Sequence, residues 1–490
     1  MLSYSLQLLR VGQRSTQYSY QILRRDSSTT TAKRRSIRIT RNVQYSHYEQ
    51  NVMDVYESIS TSPSVQSADK NSSSSSVSSP IFLFVHGGLW MKGSKEESPI
   101  KSHWDLASHV LKPSWNPFVE NSKASESEDS HATNGMSNVG RTIASKGGRA
   151  YVANYRLANH TDPEPAHPNQ ALDVARFIAH VIQLEIERQK EKECKDNSNS
   201  VYMYPRLFVG GYSAGAHLTA LVLSDSRFLK FALLERGLSI QDTTKAIAGY
   251  IGISGVYNLN RLSQGYFVDH VLNQVFWGNA SGGSHDSHGE SDENDHHHHL
   301  SNISVPVSED TKDEVLRKAS PVHVLLSSYA KLRKGQTNGT MEGERKPILA
   351  TIPILLLNAE NDLHLSSDAQ ELLIALDQFS TMDSNERHLN DKRRKRVRVG
   401  RSHVIIPGRN HLSIMWEFGN GHHDCAKLIQ RSSDSSDTQS TCVKGGTSLW
   451  SSSWISSSFL STSPNLLSYF DGDKEKDEAA QQVLNFILNT

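Results

Sequence analysis

The chain has 490 residues, and its 52 Lys and Arg balance 52 Asp and Glu, so formal charge is zero and the total gives no reason to expect a nucleic-acid partner. Hydrophobic residues make up only 36%, while Ser, Asp, Asn and His crowd into separate stretches, which predicts one large domain interrupted by polar inserts. Cys194, Cys425 and Cys442 are too few for a disulfide framework and lack metal-ligand spacing, as fits a reducing, intracellular compartment, and no apolar run approaches the roughly 18 residues of a membrane span.

Residues 1–35 form a basic segment expected to be disordered. From Arg10 to Arg41 nine cations face a single acid, Asp26, in a stretch rich in Ser and Thr. Leu2, Leu6, Leu9 and Val11 fall on one helical face, so the segment has the composition of a mitochondrial or other organelle transit peptide. The alternative is a plain basic tail on a soluble cytoplasmic protein.

A single domain is expected over 36–490. Ser36–Val43 and Val52–Tyr56 read as short strands, followed by a Ser-rich insert at 58–79. Ile81–Val85 is a continuous apolar run that ends in His86-Gly87-Gly88, as a buried parallel strand entering a turn would. A polar insert at 120–138 precedes a helix over Val139–Ser145 and a strand over Ala150–Asn154. Leu172, Ala175, Ile178, Ala179 and Ile182 recur at helical spacing.

A strand at Leu207–Gly210, a helix from Ala214 to Leu223 and a strand at Ile247–Ser254 follow. Beyond an insert at 281–304 come strands at Pro353–Asn358 and Val397–Ile406, with a helix at Asp368–Leu376 and an insert at 382–395 between them. Another insert, 432–463, leads to a closing helix marked by Val483, Leu484, Ile487 and Leu488. Strands alternating with helices in this order predict a mostly parallel sheet with helices on both faces.

Gly211-Tyr212-Ser213-Ala214-Gly215 matches G-x-S-x-G, with an apolar strand before it and a helix-forming run after it. In that context the serine occupies a strained strand-to-helix turn that lifts its hydroxyl above the sheet. A serine hydroxyl needs a base to remove its proton, and the base needs a carboxylate to orient it. Asp362 follows one late strand and His411 the next, in the order Ser, Asp, His. Glu360 and Asp368 compete for the acid's place and His403 for the base's, although His403 falls inside a strand.

His86-Gly87-Gly88-Leu89-Trp90 follows an earlier core strand and supplies a candidate oxyanion loop. The candidate N–H donors are Gly87, Gly88 and Leu89, together with Ala214 after the serine. No metal or organic cofactor is called for. The tract of His285, His288 and His296 to His299, among Asp286, Glu290, Asp292, Glu293 and Asp295, reads as a solvated insert rather than a metal site. The basic run Lys392–Arg396 reads as a solvated loop rather than a nuclear signal.

The segments HGGLWMKGSKEE, ANYRLA, GGYSAGAHLTALVL, GISGVYNL and GRNHLSIM resemble the kynurenine formamidase and carboxylesterase branch of the α/β-hydrolases, with gaps at the inserts, from about residue 51 to His411. The resemblance implies an α/β-hydrolase fold, a triad of Ser213, Asp362 and His411, and His86-Gly87-Gly88 as the oxyanion motif. It also implies a small ester or aryl formamide as substrate. HGGLWMKGSKEE is most similar to the formamidases, whereas GISGVYNL and NDLHLSSDAQEL look more like the prenylcysteine methylesterases. A reading of another class is a non-catalytic or metal-binding protein on the same fold.

Overall fold

The computed structural model describes residues 19–22, 36–59, 79–96, 136–159, 164–196, 204–263, 271–277, 309–338, 345–362, 364–387, 399–416, 418 and 478–490. Among these residues nine strands form one sheet: β1 (Ser19–Ile22), β2 (Ser36–Gln44), β3 (Val52–Ile59), β4 (Ile81–Val85), β5 (Arg149–Ala153), β6 (Leu207–Tyr212), β7 (Ile247–Ile253), β8 (Ile354–Asn361) and β9 (Arg401–Asn410). Their spatial order is β1-β2-β3-β5-β4-β6-β7-β8-β9. The first three strands pair antiparallel, with β3 against β5, and every pairing from β5 through β9 is parallel.

The principal helices are α1 (Ser137–Ser145), α2 (Asn169–Asp196), α3 (Ala214–Ser224), α4 (Ser226–Leu234), α5 (Glu309–Ala319), α6 (Pro321–Asn338), α7 (Leu365–Arg387) and α8 (Glu478–Asn489). They cover both faces of the sheet. Along β4, Ile81, Leu83 and Val85 enter a core with Val174, Ile178 and Leu221 on one side. Phe82 and Phe84 enter another with Val139, Ile143 and Val483 on the opposite side. Burial on both faces is why this strand reads as an unbroken apolar run rather than an alternating one. The arrangement is the α/β-hydrolase fold, with β4, β6, β8 and β9 delivering the sequence motifs at the carboxyl ends of the parallel strands.

Several element boundaries differ from the sequence expectation. Ser19–Ile22, inside the segment expected to be disordered, pairs antiparallel with Ile37–Thr40 as an outer strand; four residues of backbone pairing need no apolar periodicity. β3 runs to Ile59 and α1 starts at Ser137, so each takes a few residues from the predicted inserts at 58–79 and 120–138. α7 runs to Arg387, six residues into the insert predicted from 382, because the end of a helix is sustained by polar residues of adequate helix propensity without an apolar face. β9 continues past Ile406 through Pro407 to Asn410. It is the last strand of the sheet, and an edge strand tolerates a proline.

The insert at 281–304, with its His/Asp tract, and the insert at 432–463 lie outside the described residues, as do Lys392–Arg396 and both Cys425 and Cys442. Cys194 is exposed. Among the described residues no helix is long and apolar enough to cross a membrane.

Candidate active site

Ser213 stands between β6 and α3 with φ 51° and ψ −117°, a region that an L-residue occupies only when its surroundings enforce it. Its amide donates to the Ile253 carbonyl at 2.9 Å, and its carbonyl accepts from His217 N–H at 3.0 Å, which starts the helix. Gly215 has to be small: a Cβ there would lie 2.2 Å from the Val85 carbonyl oxygen and 2.4 Å from that of His86. The second glycine of the motif thus lets α3 press against the end of β4, where the His-Gly-Gly loop begins.

Asn361 pairs with Asn410 across β8 and β9, so Asp362 and His411 are the next residues on adjacent strands. His411 Nδ1 lies 2.6 Å from Asp362 Oδ1, and His411 Nε2 lies 3.0 Å from Ser213 Oγ. An ionised carboxylate only accepts, so Nδ1 carries the hydrogen and Nε2 is left to accept from the serine hydroxyl. All three side chains are buried.

Burial alone would push the Asp362 carboxyl up, but the hydrogen bond and charge of His411, with the Ser254 hydroxyl and the Asn358 amide, hold it below the ordinary carboxylate value. Asn358 Nδ2 donates to Asp362 Oδ2 at 2.7 Å, and the Ala359 amide donates to the same oxygen at 3.2 Å. His403 Nε2 in turn donates to Asn358 Oδ1 at 3.1 Å. The rival candidate base therefore sits behind the candidate acid, two hydrogen bonds from the Asp362 carboxylate.

The other rivals are engaged elsewhere. Glu360 is exposed and accepts from the Gly408 amide at 2.8 Å. Asp368 accepts from the amides of Tyr257 and Asn258 and from Arg261, tying α7 to the segment after β7. Burial pushes its carboxyl up to about 6 against the pull of those donors.

The loop after β4 lies directly against the serine. A Cβ at Gly87 would stand 3.0 Å from Ser213 Cβ and 2.7 Å from the Tyr212 ring. Gly88, Leu89 and Trp90 all have positive φ, at 121°, 51° and 61°, and the amides of Met91 and Lys92 both return to the Gly88 carbonyl, at 3.2 and 3.0 Å. Three such residues in succession, two of them not glycine, need external support.

That support is visible on three sides. The Trp90 indole N–H donates to His217 Nδ1 at 3.1 Å, and His217 Nε2–H donates to the Ala319 carbonyl at 2.8 Å. Buried Lys95 pairs with buried Asp54 of β3 at 2.9 Å. His86 donates from Nδ1 to the Gly87 carbonyl at 2.7 Å and stacks on Tyr155, with 4.6 Å between centroids and 14° between planes. Burial lowers the His86 imidazole to about 4 and that of His217 to about 4, so both are neutral near pH 7.

The structure thus brings Ser213, His411 and Asp362 into one hydrogen-bonded line, with Gly87 and the start of α3 beside it. Four further contributors escape a sequence reading: Tyr212, whose hydroxyl bonds the His411 carbonyl; Asn358 and Ser254 around the acid; and His217 behind Trp90. Only His217 leaves a trace in the sequence, as an ionisable residue one turn after the serine in a mostly apolar helix.

No protein-family model and no curated protein sequence matches the chain. Among solved structures the fold is similar to esterase B from Lactobacillus rhamnosis, in a tributyrin-phosphonate-inhibited form, at 13% identity over 81% of this chain and 85% of that one, with a TM-score of 0.39. It is also similar to a thermostable esterase from Pseudomonas putida, at 13% identity over 81% of this chain and 74% of that one, with a TM-score of 0.33.

Proposed function

We propose that the protein is a serine hydrolase that cleaves a carboxylic ester or an aryl formamide through an acyl-enzyme. The observation that carries this reading is the continuous line Ser213 Oγ–His411 Nε2 at 3.0 Å and His411 Nδ1–Asp362 Oδ1 at 2.6 Å, mounted at the end of a strained strand-to-helix turn. A structural role for the three groups gives no reason to keep Ser213 at positive φ or to bury Asp362 against an imidazole.

In this reading His411 Nε2 takes the proton of Ser213 as Oγ attacks the carbonyl carbon, and Asp362 holds Nδ1–H and stabilises the imidazolium that forms. The carbonyl oxygen becomes an oxyanion held by the N–H groups of Ala214, Gly88 and Leu89, with Gly87 shaping the approach. Collapse of the tetrahedral intermediate expels the alcohol or amine, which takes the proton from His411. Water then attacks the acyl-serine with His411 again as base, releasing the acid and restoring the hydroxyl.

The finer reading within this chemistry is an aryl formamidase. It rests on the run His86 to Glu97, in which His86 stacks on Tyr155 and Lys95 reaches Asp54. The competing substrate, a prenylcysteine methyl ester, rests on the run Asn361 to Leu372. The two are separated by measuring kcat/KM on N-formylkynurenine, a prenylcysteine methyl ester and short p-nitrophenyl esters. Preference for the formamide supports the finer reading, and preference for the prenylcysteine ester reverses it. Turnover of none of them, by folded protein, removes the hydrolase reading.

A further inference from the structure

A cavity of about 720 Å³ opens where α3 ends. α3 runs from Ala214 to Ser224, so at about 1.5 Å per residue the cavity lies roughly 16 Å along the helix from Ser213. Its lining includes five permanent cations, Arg227, Arg317, Lys318, Lys331 and Arg345, from four separate segments of the chain. Two carboxylates line it as well, and each is already engaged: Asp225 with Arg227 at 2.6 Å and Glu314 with Lys318 at 3.2 Å. Arg317, Lys331 and Arg345 have no ion-pair partner among the described residues, which leaves an excess of three positive charges around one concavity.

The second observation is Ser224. It lines the cavity, is only 2% exposed, and its hydroxyl has no hydrogen-bond partner among the described residues. A buried hydroxyl left unpaired costs about 1–3 kcal/mol, so such groups in folded proteins ordinarily have a partner. Ser327 and Ser328 add further hydroxyls to the same wall.

We propose that this cleft is a binding site for a phosphorylated small molecule of nucleotide size, separate from the Ser213 centre. The volume falls within the range of about 300–1,000 Å³ typical of small-molecule sites. Guanidinium forks and serine hydroxyls together match the several acceptor oxygens of a phosphate, and three cations without an ion-pair partner among the described residues match a ligand of two or more negative charges. A cleft of limited volume lined from four segments of the chain, rather than a stripe of charge along one face, favours a small ligand over a nucleic-acid strand.

The test is titration calorimetry of the full chain with pyrophosphate and with ATP, at low salt and near-physiological salt. Saturable one-site binding is expected. Lys331→Glu/Arg345→Glu should weaken it at least tenfold while leaving ester turnover and the melting temperature unchanged, since both side chains are exposed. Ser224→Ala should also weaken binding while slightly raising the melting temperature of the free protein, because an unpaired buried hydroxyl is removed. Absence of saturable binding, or binding indifferent to the charge reversals, overturns the proposal. Tighter binding of an oligonucleotide, growing with its length, would instead make the cations part of a nucleic-acid surface.

Discussion

The hydroxyl of Tyr212 donates to the backbone carbonyl of His411 at 2.6 Å. The two residues are 199 positions apart, and the bond joins the last residue before Ser213 to the residue that faces the Ser213 hydroxyl. Their rings also meet, with centroids 5.2 Å apart. The distance between the proposed nucleophile and base is thereby fixed by a buried hydrogen bond as well as by the sheet.

Tyr212→Phe keeps the ring and removes that bond. A neutral hydrogen bond contributes about 1 kcal/mol net, and the carbonyl loses its partner in a buried site. A fall in kcat of roughly fivefold to tenfold is expected, with KM nearly unchanged and CD spectra matching the parent. A change confined to KM would show that the bond does not position His411.

The acid assignment separates two carboxylates, Asp362 and Glu360. Asp362→Asn should lower kcat by about four orders of magnitude, because the amide can no longer select the His411 tautomer. Glu360→Gln should leave kcat within about twofold, since its carboxylate bonds only the Gly408 amide in solvent. A crippled Glu360→Gln beside a normal Asp362→Asn would reassign the acid. Asn358→Ala falls between them, expected to cost about tenfold through loss of one charge-assisted bond to Asp362.

Backbone strain at Ser213 gives a stability test independent of turnover. Residues other than glycine at positive φ cost roughly 1–2 kcal/mol. Ser213→Gly and Ser213→Ala should both be inactive toward esters, but in urea titrations the glycine variant should be the more stable of the two by about 1 kcal/mol. This holds despite the larger entropy loss of glycine on folding, because ψ −117° at φ 51° lies well outside the regions open to alanine. Greater stability of the alanine variant would mean that the turn is not strained.

Two buried imidazoles, His86 and His217, and the half-buried His167 set the direction of acid sensitivity. Burial lowers His86 and His217 from 6.5 to about 4, and burial with the nearby His217 lowers His167 to about 3. Between pH 6.5 and about 4 the unfolded chain therefore binds more protons at these sites than the folded one, and stability falls as pH falls. Asp368, raised to about 6, works in the opposite sense: its folded form holds an extra proton below pH 6 and gains stability on acidification. Three imidazoles outweigh one carboxyl, so the melting temperature should drop by several degrees from pH 7 to pH 5. A flat or rising melting temperature would contradict the burial of these histidines as neutral groups.

Much of the candidate site is legible in the chain because its parts lie at strand ends, and strands buried on both faces announce themselves as apolar runs. Ile81–Val85 points to His86, and Leu207–Gly210 points to Ser213. The end of β9 is less legible. Pro407 and Gly408 look like a turn, and only the sheet order reveals an edge strand that tolerates them and carries through to Asn410. Contacts such as Tyr212 to His411 or His403 through Asn358 to Asp362 have no local signature. They depend on which strands become neighbours, and that is decided by packing rather than by any short motif.

The account rests on Ser213 being the nucleophile, and active-site labelling measures this directly. Protein treated with an alkyl fluorophosphonate should lose p-nitrophenyl ester hydrolysis in step with the uptake of one equivalent of label. Peptide mass spectrometry should place that adduct on Ser213, and neither Ser213→Ala nor a His411→Ala variant should be labelled at a comparable rate. Retention of full activity with Ser213 labelled, or inactivation with the adduct on another residue, would contradict the account.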